Sequence, residues 1–185
     1  MVYDFQYDAQ DRPVQVDASG DFTVKYFYHG NLVHTTKELY PGGVVAKEVT
    51  YIYADNRVAQ EIWRINSVPG DSASIYKHVF SYDAKGNLNK VETFEQDKNQ
   101  QYELIETVVY SDFDDKINPT SWMLRHPYLP QIRWQFNNPG REVRSPAGGP
   151  AETTNYAYEY NAQGLPVSKT TTRQGAGVLM VQYQY

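Results

Sequence analysis

Apolar and polar residues alternate with period two along almost the whole chain. Phe22, Val24, Tyr26 and Tyr28 fall on one side of such a run, with Thr23, Lys25 and Phe27 on the other. Tyr102, Leu104, Glu106, Val108 and Tyr110 alternate in the same way with Glu103, Ile105, Thr107 and Val109. This is the signature of half-buried β-strands. The runs recur in a unit made of an aromatic pair, an Asx or Gly turn, a hydrophobic residue and a second alternating run. Its clearest copies are Phe5–Val14, Phe80–Leu88 and Tyr158–Val167. With Tyr7, Tyr28, Tyr53, Tyr82, Tyr110, Phe136, Tyr160 and Tyr183 as anchors, the spacing is 21 to 29 residues, room for two strands and two turns.

The turns have a chemical cause. Asp83 or Asn161 can accept a hydrogen bond from the backbone two residues on, and Gly86 or Gly164 supplies the left-handed position that closes a hairpin loop with a bulge. Helical periodicity is confined to one short turn over residues 118–124, where Asn118 can cap and Pro119 can occupy the first helical position. The expectation is therefore an all-β, up-and-down antiparallel meander of about 14–16 strands forming a single repeat-built domain over residues 1–185. Sixteen strands spaced ~4.8 Å and tilted about 40° would close into a circle roughly 30 Å across, too wide for side chains to fill. The choices are a wet lumen, a flattened barrel or a long sheet that curls without closing; a flattened or plugged, soluble barrel is the expected one.

Composition sharpens this picture. Seventeen Tyr against seven Phe and three Trp give apolar surfaces with polar tips, suited to strands and wet linings. The absence of cysteine excludes disulfides, thiolate metal sites and cysteine nucleophiles. A net charge of −5, with 17 basic against 22 acidic residues, argues against nucleic acid as a partner. No apolar stretch approaches the ~20 residues of a membrane helix, and the chain opens directly on strand-like alternation, so a trimmed leader is expected.

The Tyr-Asp-x-x-Gly-x-Leu units resemble the tyrosine-aspartate repeats of Rhs-type shell proteins. Tyr110–Pro119, followed by Tyr158–Pro166 and the terminal Gln182-Tyr183-Gln184-Tyr185, resembles DUF4595, an uncharacterised family of Bacteroidetes surface lipoproteins with a porin-like fold. That resemblance spans nearly the whole chain. It implies a cell-envelope or surface location through a lipidated cysteine that this chain lacks, and it implies no activity.

Few residues invite chemistry. Asp112, Asp114, Asp115 and Asn118 offer oxygen ligands at calcium-loop spacing, without the bend glycine or the bidentate Glu of such a loop, so turn formation is the reading preferred to a metal site. His29, His34, His78 and His126 show no zinc spacing. No strained nucleophile or converging carboxylate pair is visible, so no catalytic residue and no cofactor is expected, and Glu92, Glu95, Glu103 and Glu106 read as outward strand residues. The connections over 112–131 and 137–152 are long for a compact β protein. The first, with Trp122, Met123, Leu124, His126 and Tyr128, reads either as a plug or as an aromatic patch; Trp122, Met123, His126, Tyr128 and Trp134 are the ligand-binding candidates.

The functional expectation is a monomeric, non-enzymatic surface or periplasmic binding or structural module whose partner is a glycan or a peptide. A glycan-active enzyme or glycan binder using the aromatic patch is one alternative. An outer-membrane β-barrel is another, opposed by charges over 85–98 and 168–173 that would face lipid at ~2 to 4 kcal/mol for each mid-depth Lys or Arg. Far-ultraviolet circular dichroism should show a β-dominated spectrum, and more than about a quarter helix would refute the fold class.

Overall fold

Four of the hairpins are built on one turn. In the computed structural model, which describes residues 2–66, 72–121, 127–130 and 132–184, the Oδ1 of Asp8, Asp83, Asp97 and Asn161 each accepts the backbone N–H groups two and four residues on. All eight bonds measure 2.8 to 3.0 Å. The residue three positions on donates its own N–H back to the Asx carbonyl, which brings it to positive φ. Gly86 and Gly164 fill that position at φ 90° and 75°, and Asp11 and Gln100 fill it at 56° and 64°. The glycine anticipated from the sequence is therefore favoured but not required, because the side-chain clamp offsets the left-handed strain.

These and similar turns join thirteen strands: β1 (Tyr3–Tyr7), β2 (Pro13–Ala18), β3 (Phe22–His29), β4 (Leu32–Leu39), β5 (Val45–Ala54), β6 (Arg57–Ile65), β7 (Ser74–Tyr82), β8 (Leu88–Gln96), β9 (Tyr102–Ser111), β10 (Arg141–Pro146), β11 (Glu152–Tyr160), β12 (Pro166–Arg173) and β13 (Val178–Gln182). Their hydrogen-bonded order follows the chain from β1 to β13, an all-β up-and-down meander. No α-helix occurs among the described residues. Two expectations need correction. Among the described residues the strands number thirteen rather than 14–16, and the described part of the segment between β9 and β10 adds one isolated bridge, Ile117 to Asn137. The sheet also does not close: β1 and β13 are its two edges, so it is an open meander and not a flattened or plugged barrel.

Register slips by one residue at the anchor tyrosines. Shifts fall between Gln6 and Tyr7, Phe27 and Tyr28, Ile52 and Tyr53, and Glu159 and Tyr160. A bulge turns the local twist and re-aims the side chain at that point. Tyr28 and Tyr53 use this to donate their hydroxyls back to the Pro13 and Val33 carbonyls, each at 2.8 Å. The clasp ties the end of one strand to the start of the strand before it.

The chain forms two compact units. The first comprises Met1–Val79, Phe94–Glu103 and Arg125–Pro130. Its core is aliphatic and aromatic: Val16, Val24, Tyr26, Val33, Val49, Tyr51 and Val58 from β2 to β6, with Leu129 set among the buried residues of the same unit. Tyr26 donates its hydroxyl to the Pro127 carbonyl, which helps to hold that segment. The second unit comprises Phe80–Thr93, Leu104–Leu124 and Gln131–Tyr185. Its buried set is far more polar, with Asn87, Asn118, Ser121, Gln135, Asn138, Thr154 and Ser168 beside Phe80, Leu88, Val108 and Trp134.

Asn87 links the turn to this polar interior. It donates to Asp83 and to Asn137, and its own Oδ1 accepts the Asn137 N–H at 2.9 Å. Burial would raise the Asp83 carboxyl, but hydrogen bonds from Asn87 and the turn backbone outweigh that and hold it below its ordinary value of 3.8. A depressed folded value means that the clamp's stabilisation is complete above about pH 4 and disappears as pH falls through that lower value. Asp83→Ala should cost about 1 to 2 kcal/mol in urea denaturation. Asp83→Asn, which keeps an acceptor like the one Asn161 supplies, should flatten the acid limb of the stability profile; an unchanged limb would refute the clamp.

Candidate functional site

The five strands β9 to β13 place a row of polar groups on one face of the second unit. Register sets Tyr110 opposite Glu142, Glu142 opposite Thr154, and Tyr158 opposite Lys169. With period two, Tyr156 and Tyr158 share that face. Arg144 bonds Glu106 at 2.7 Å and lies 3.7 Å from Glu142, which also accepts the Tyr156 hydroxyl at 2.7 Å. Lys169 stands apart from this chain of pairs. Its Nζ lies 4.1 Å from the centroid of the Tyr156 ring and 5.8 Å from that of Tyr158. Burial pulls its amine below the ordinary lysine value, against a weaker opposing pull from the Glu142 charge. Among the described residues no carboxylate or carbonyl accepts a bond from this ammonium.

The connection between β9 and β10 supplies the rest of the site. Asp114 is its organiser: it accepts the Lys116 N–H, the Asn138 N–H and side-chain amide, and the Tyr160 hydroxyl. Tyr158 donates to the Pro139 carbonyl at 3.2 Å, which joins the same segment to β11. Asn118 accepts the N–H and hydroxyl of Thr120, so the anticipated cap is present as an Asx turn. Gly140 packs so closely that a Cβ there would meet the Asp112 carbonyl oxygen at 2.8 Å.

Together these elements enclose a cavity of about 80 Å³, lined by Asn118, Thr120, Ser121, Gln135, Asn138 and Lys169 together with Pro139, Tyr158, Pro166 and Tyr183. That space equals roughly five to eight waters. No Asp or Glu is among the described lining residues. Ser121 is 2% exposed, and its Oγ has no hydrogen-bond partner. A buried hydroxyl in that state costs free energy unless something occupies the space before it.

The residues singled out from the sequence meet different fates. Trp122, Met123 and His126 lie outside the described residues. Tyr128 belongs to the first unit, where its hydroxyl donates to Glu38 and the Lys47 ammonium lies 4.1 Å from its ring centroid, so its polar tip and one face are engaged. Trp134 belongs to the second unit and is 1% exposed, packed 4.8 Å from the Phe80 ring and stacked on Tyr82. It is core there, not an open stacking surface. The proposed calcium ligands are not gathered round one point: Asp114 is occupied as above, Asp115 is exposed and paired with Lys116 at 3.0 Å, and Asn118 serves Thr120. No group of three or more His, Cys, Asp or Glu that could hold a metal occurs among the described residues. Ser121 and Lys169 were not singled out from the sequence. Lys169 sits in a run of Ser, Lys and Thr that reads as solvated strand, and only register against Tyr158 turns it to the cavity.

No protein-family model and no curated protein matches the chain. Among solved structures, a porin-like protein from Bacteroides vulgatus ATCC 8482 is similar at 11% identity and a TM-score of 0.64, with 95% of this chain and 88% of that one covered. A porin-like protein from Bacteroides uniformis ATCC 8492 gives 11% identity and a TM-score of 0.46 over 96% of this chain and 86% of that one. The Photorhabdus luminescens Tc holotoxin pore gives 13% identity and 0.37 over 98% of this chain and 12% of that one. The first of these shows a shared all-β, porin-like fold. No helix of the described residues is long and apolar enough to cross a membrane.

If Asp114 organises the cavity wall, its removal must loosen Asn138 and Tyr160 together. Asp114→Ala should cost about 2 to 4 kcal/mol, and the Asn138 amide should lose protection from hydrogen exchange. Full protection at Asn138 in that variant would show that the wall stands without it.

Proposed function

We propose that this protein is a non-enzymatic binding module of the cell envelope whose β-meander scaffolds one polar ligand pocket on its second unit. The observation that carries the reading is the buried, unpartnered Ser121 hydroxyl lining a cavity whose described wall includes three side-chain amides, two tyrosines and Lys169. Pockets that recognise small polar molecules combine rings with a few fixed hydrogen-bonding groups, and this lining has both. The resemblance to surface lipoproteins of the DUF4595 family supports exposure at the cell surface, with the protein acting as a monomer. A glycan or a peptide end is the class of ligand that such a lining suits.

The glycan-active enzyme is the weaker alternative. Glycoside hydrolysis asks for two carboxyl groups about 5 to 9.5 Å apart across the bond, and the described residues of the cavity lining include none. The outer-membrane barrel asks for a closed sheet, whereas β1 and β13 remain edges here.

A glycan and peptide array followed by thermal shift tests the reading. A ligand at about 100 times its Kd should add ~2.7 kcal/mol of stability, seen as a rise of about 5 to 10 °C in Tm for a chain of this size. Ser121→Leu, which fills the cavity, should abolish that rise. A ligand whose effect survives Ser121→Leu binds elsewhere, and the pocket reading then fails.

A further inference from the structure

We infer that the pocket of the second unit selects a small, singly charged carboxylate, of the size of a three-carbon hydroxy acid, with Lys169 as the residue that receives its carboxylate. The inference rests on the pocket reading above and specifies what the pocket takes.

Lys169 is a cation brought to a half-buried place without an anion of its own. The rings of Tyr156 and Tyr158 compensate part of its lost hydration through their faces. A ring face accepts charge but does not satisfy three directed N–H donors. Both neighbouring hydroxyls are already committed as donors, Tyr156 to Glu142 and Tyr158 to the Pro139 carbonyl. Glu142 itself is shared between Tyr156 and Arg144. The cavity that Lys169 lines gives a further acceptor access to its ammonium, and the Ser121 hydroxyl there is likewise unpartnered. A carboxylate meets both needs at once, as an acceptor for the ammonium and for the serine O–H.

Charge and size narrow the class. Among the described residues the lining holds one cation and no arginine, so these residues lack the forked donors that grip phosphate at two points. The Asp114 and Glu142 carboxylates stand behind the wall through Asn138, Tyr160 and Tyr156, and a second negative charge in the cavity would be repelled by both. Beyond the carboxylate, Gln135 spends only its amide nitrogen, on the Leu88 carbonyl at 3.4 Å, and Asn118 only its oxygen, on Thr120. One acceptor and one donor thus remain for the hydroxyls of a small polyol acid, and Tyr158 and Tyr183 offer ring surface to its carbons.

Isothermal titration with glycerate and with glycerol tests the inference on the full chain. Wild type should bind glycerate at least 30-fold more tightly than glycerol. Lys169→Met, which keeps the stem over the tyrosine rings, should bring glycerate down to the glycerol level while leaving Tm within a few degrees. Lys169→Arg, which keeps the charge, should retain part of the preference. Equal affinities in wild type, or a preference untouched by Lys169→Met, would overturn the carboxylate assignment and leave the pocket reading standing. Failure of glycerate, glycerol and acetate alike to bind would overturn both.

Discussion

A single oxygen that accepts two backbone N–H groups holds each of four hairpin loops in this protein. The clamp formed by Asp8, Asp83, Asp97 and Asn161 fixes loop length, and loop length fixes which residues face each other across the ladder. A one-residue error would turn every aromatic of a strand from the buried to the open face. At two hairpins without that clamp, a bulge just before the loop aims the anchor tyrosine, and Tyr28 and Tyr53 convert that aim into a bond to the preceding strand. Local chemistry repeated down the chain thereby produces a meander whose contacts are mostly between sequence neighbours, the least costly way to order a β protein.

The two units use this scaffold differently. In the first, burial of Val16, Val24, Val33, Val49 and Val58 carries the core, and cross-strand pairs such as Lys37 with Glu48 and Lys47 with Glu38 decorate it. In the second, asparagines and serines are buried beside the apolar residues, and each needs a partner. Asn87 and Asn138 find theirs in Asp83, Asn137, Asp114 and Tyr160. Polar interiors of this kind sacrifice apolar burial for directionality, which is useful where a wall must hold its shape around a cavity.

The alternation of Phe22 to Tyr28, the spacing of the anchor aromatics and the Asx turns determined the fold class from sequence alone, because period, turn chemistry and strand length are local properties. Asn118 was legible as a cap for the same reason, and so was the structural use of Asp114. Three matters were decided only by tertiary structure. The sheet stays open because pairing of β1 with β13 depends on accumulated twist and curvature, which no single repeat encodes. Trp134, a ligand-binding candidate by sequence, is buried against Phe80 and Tyr82, more than fifty positions earlier in the chain. Lys169 and Ser121 line one cavity because register across β11 and β12 chooses the face of one, and the fold of the β9–β10 connection carries in the other. Convergence of residues 48 positions apart has no period to betray it, so the candidate site emerged only when the chain was folded.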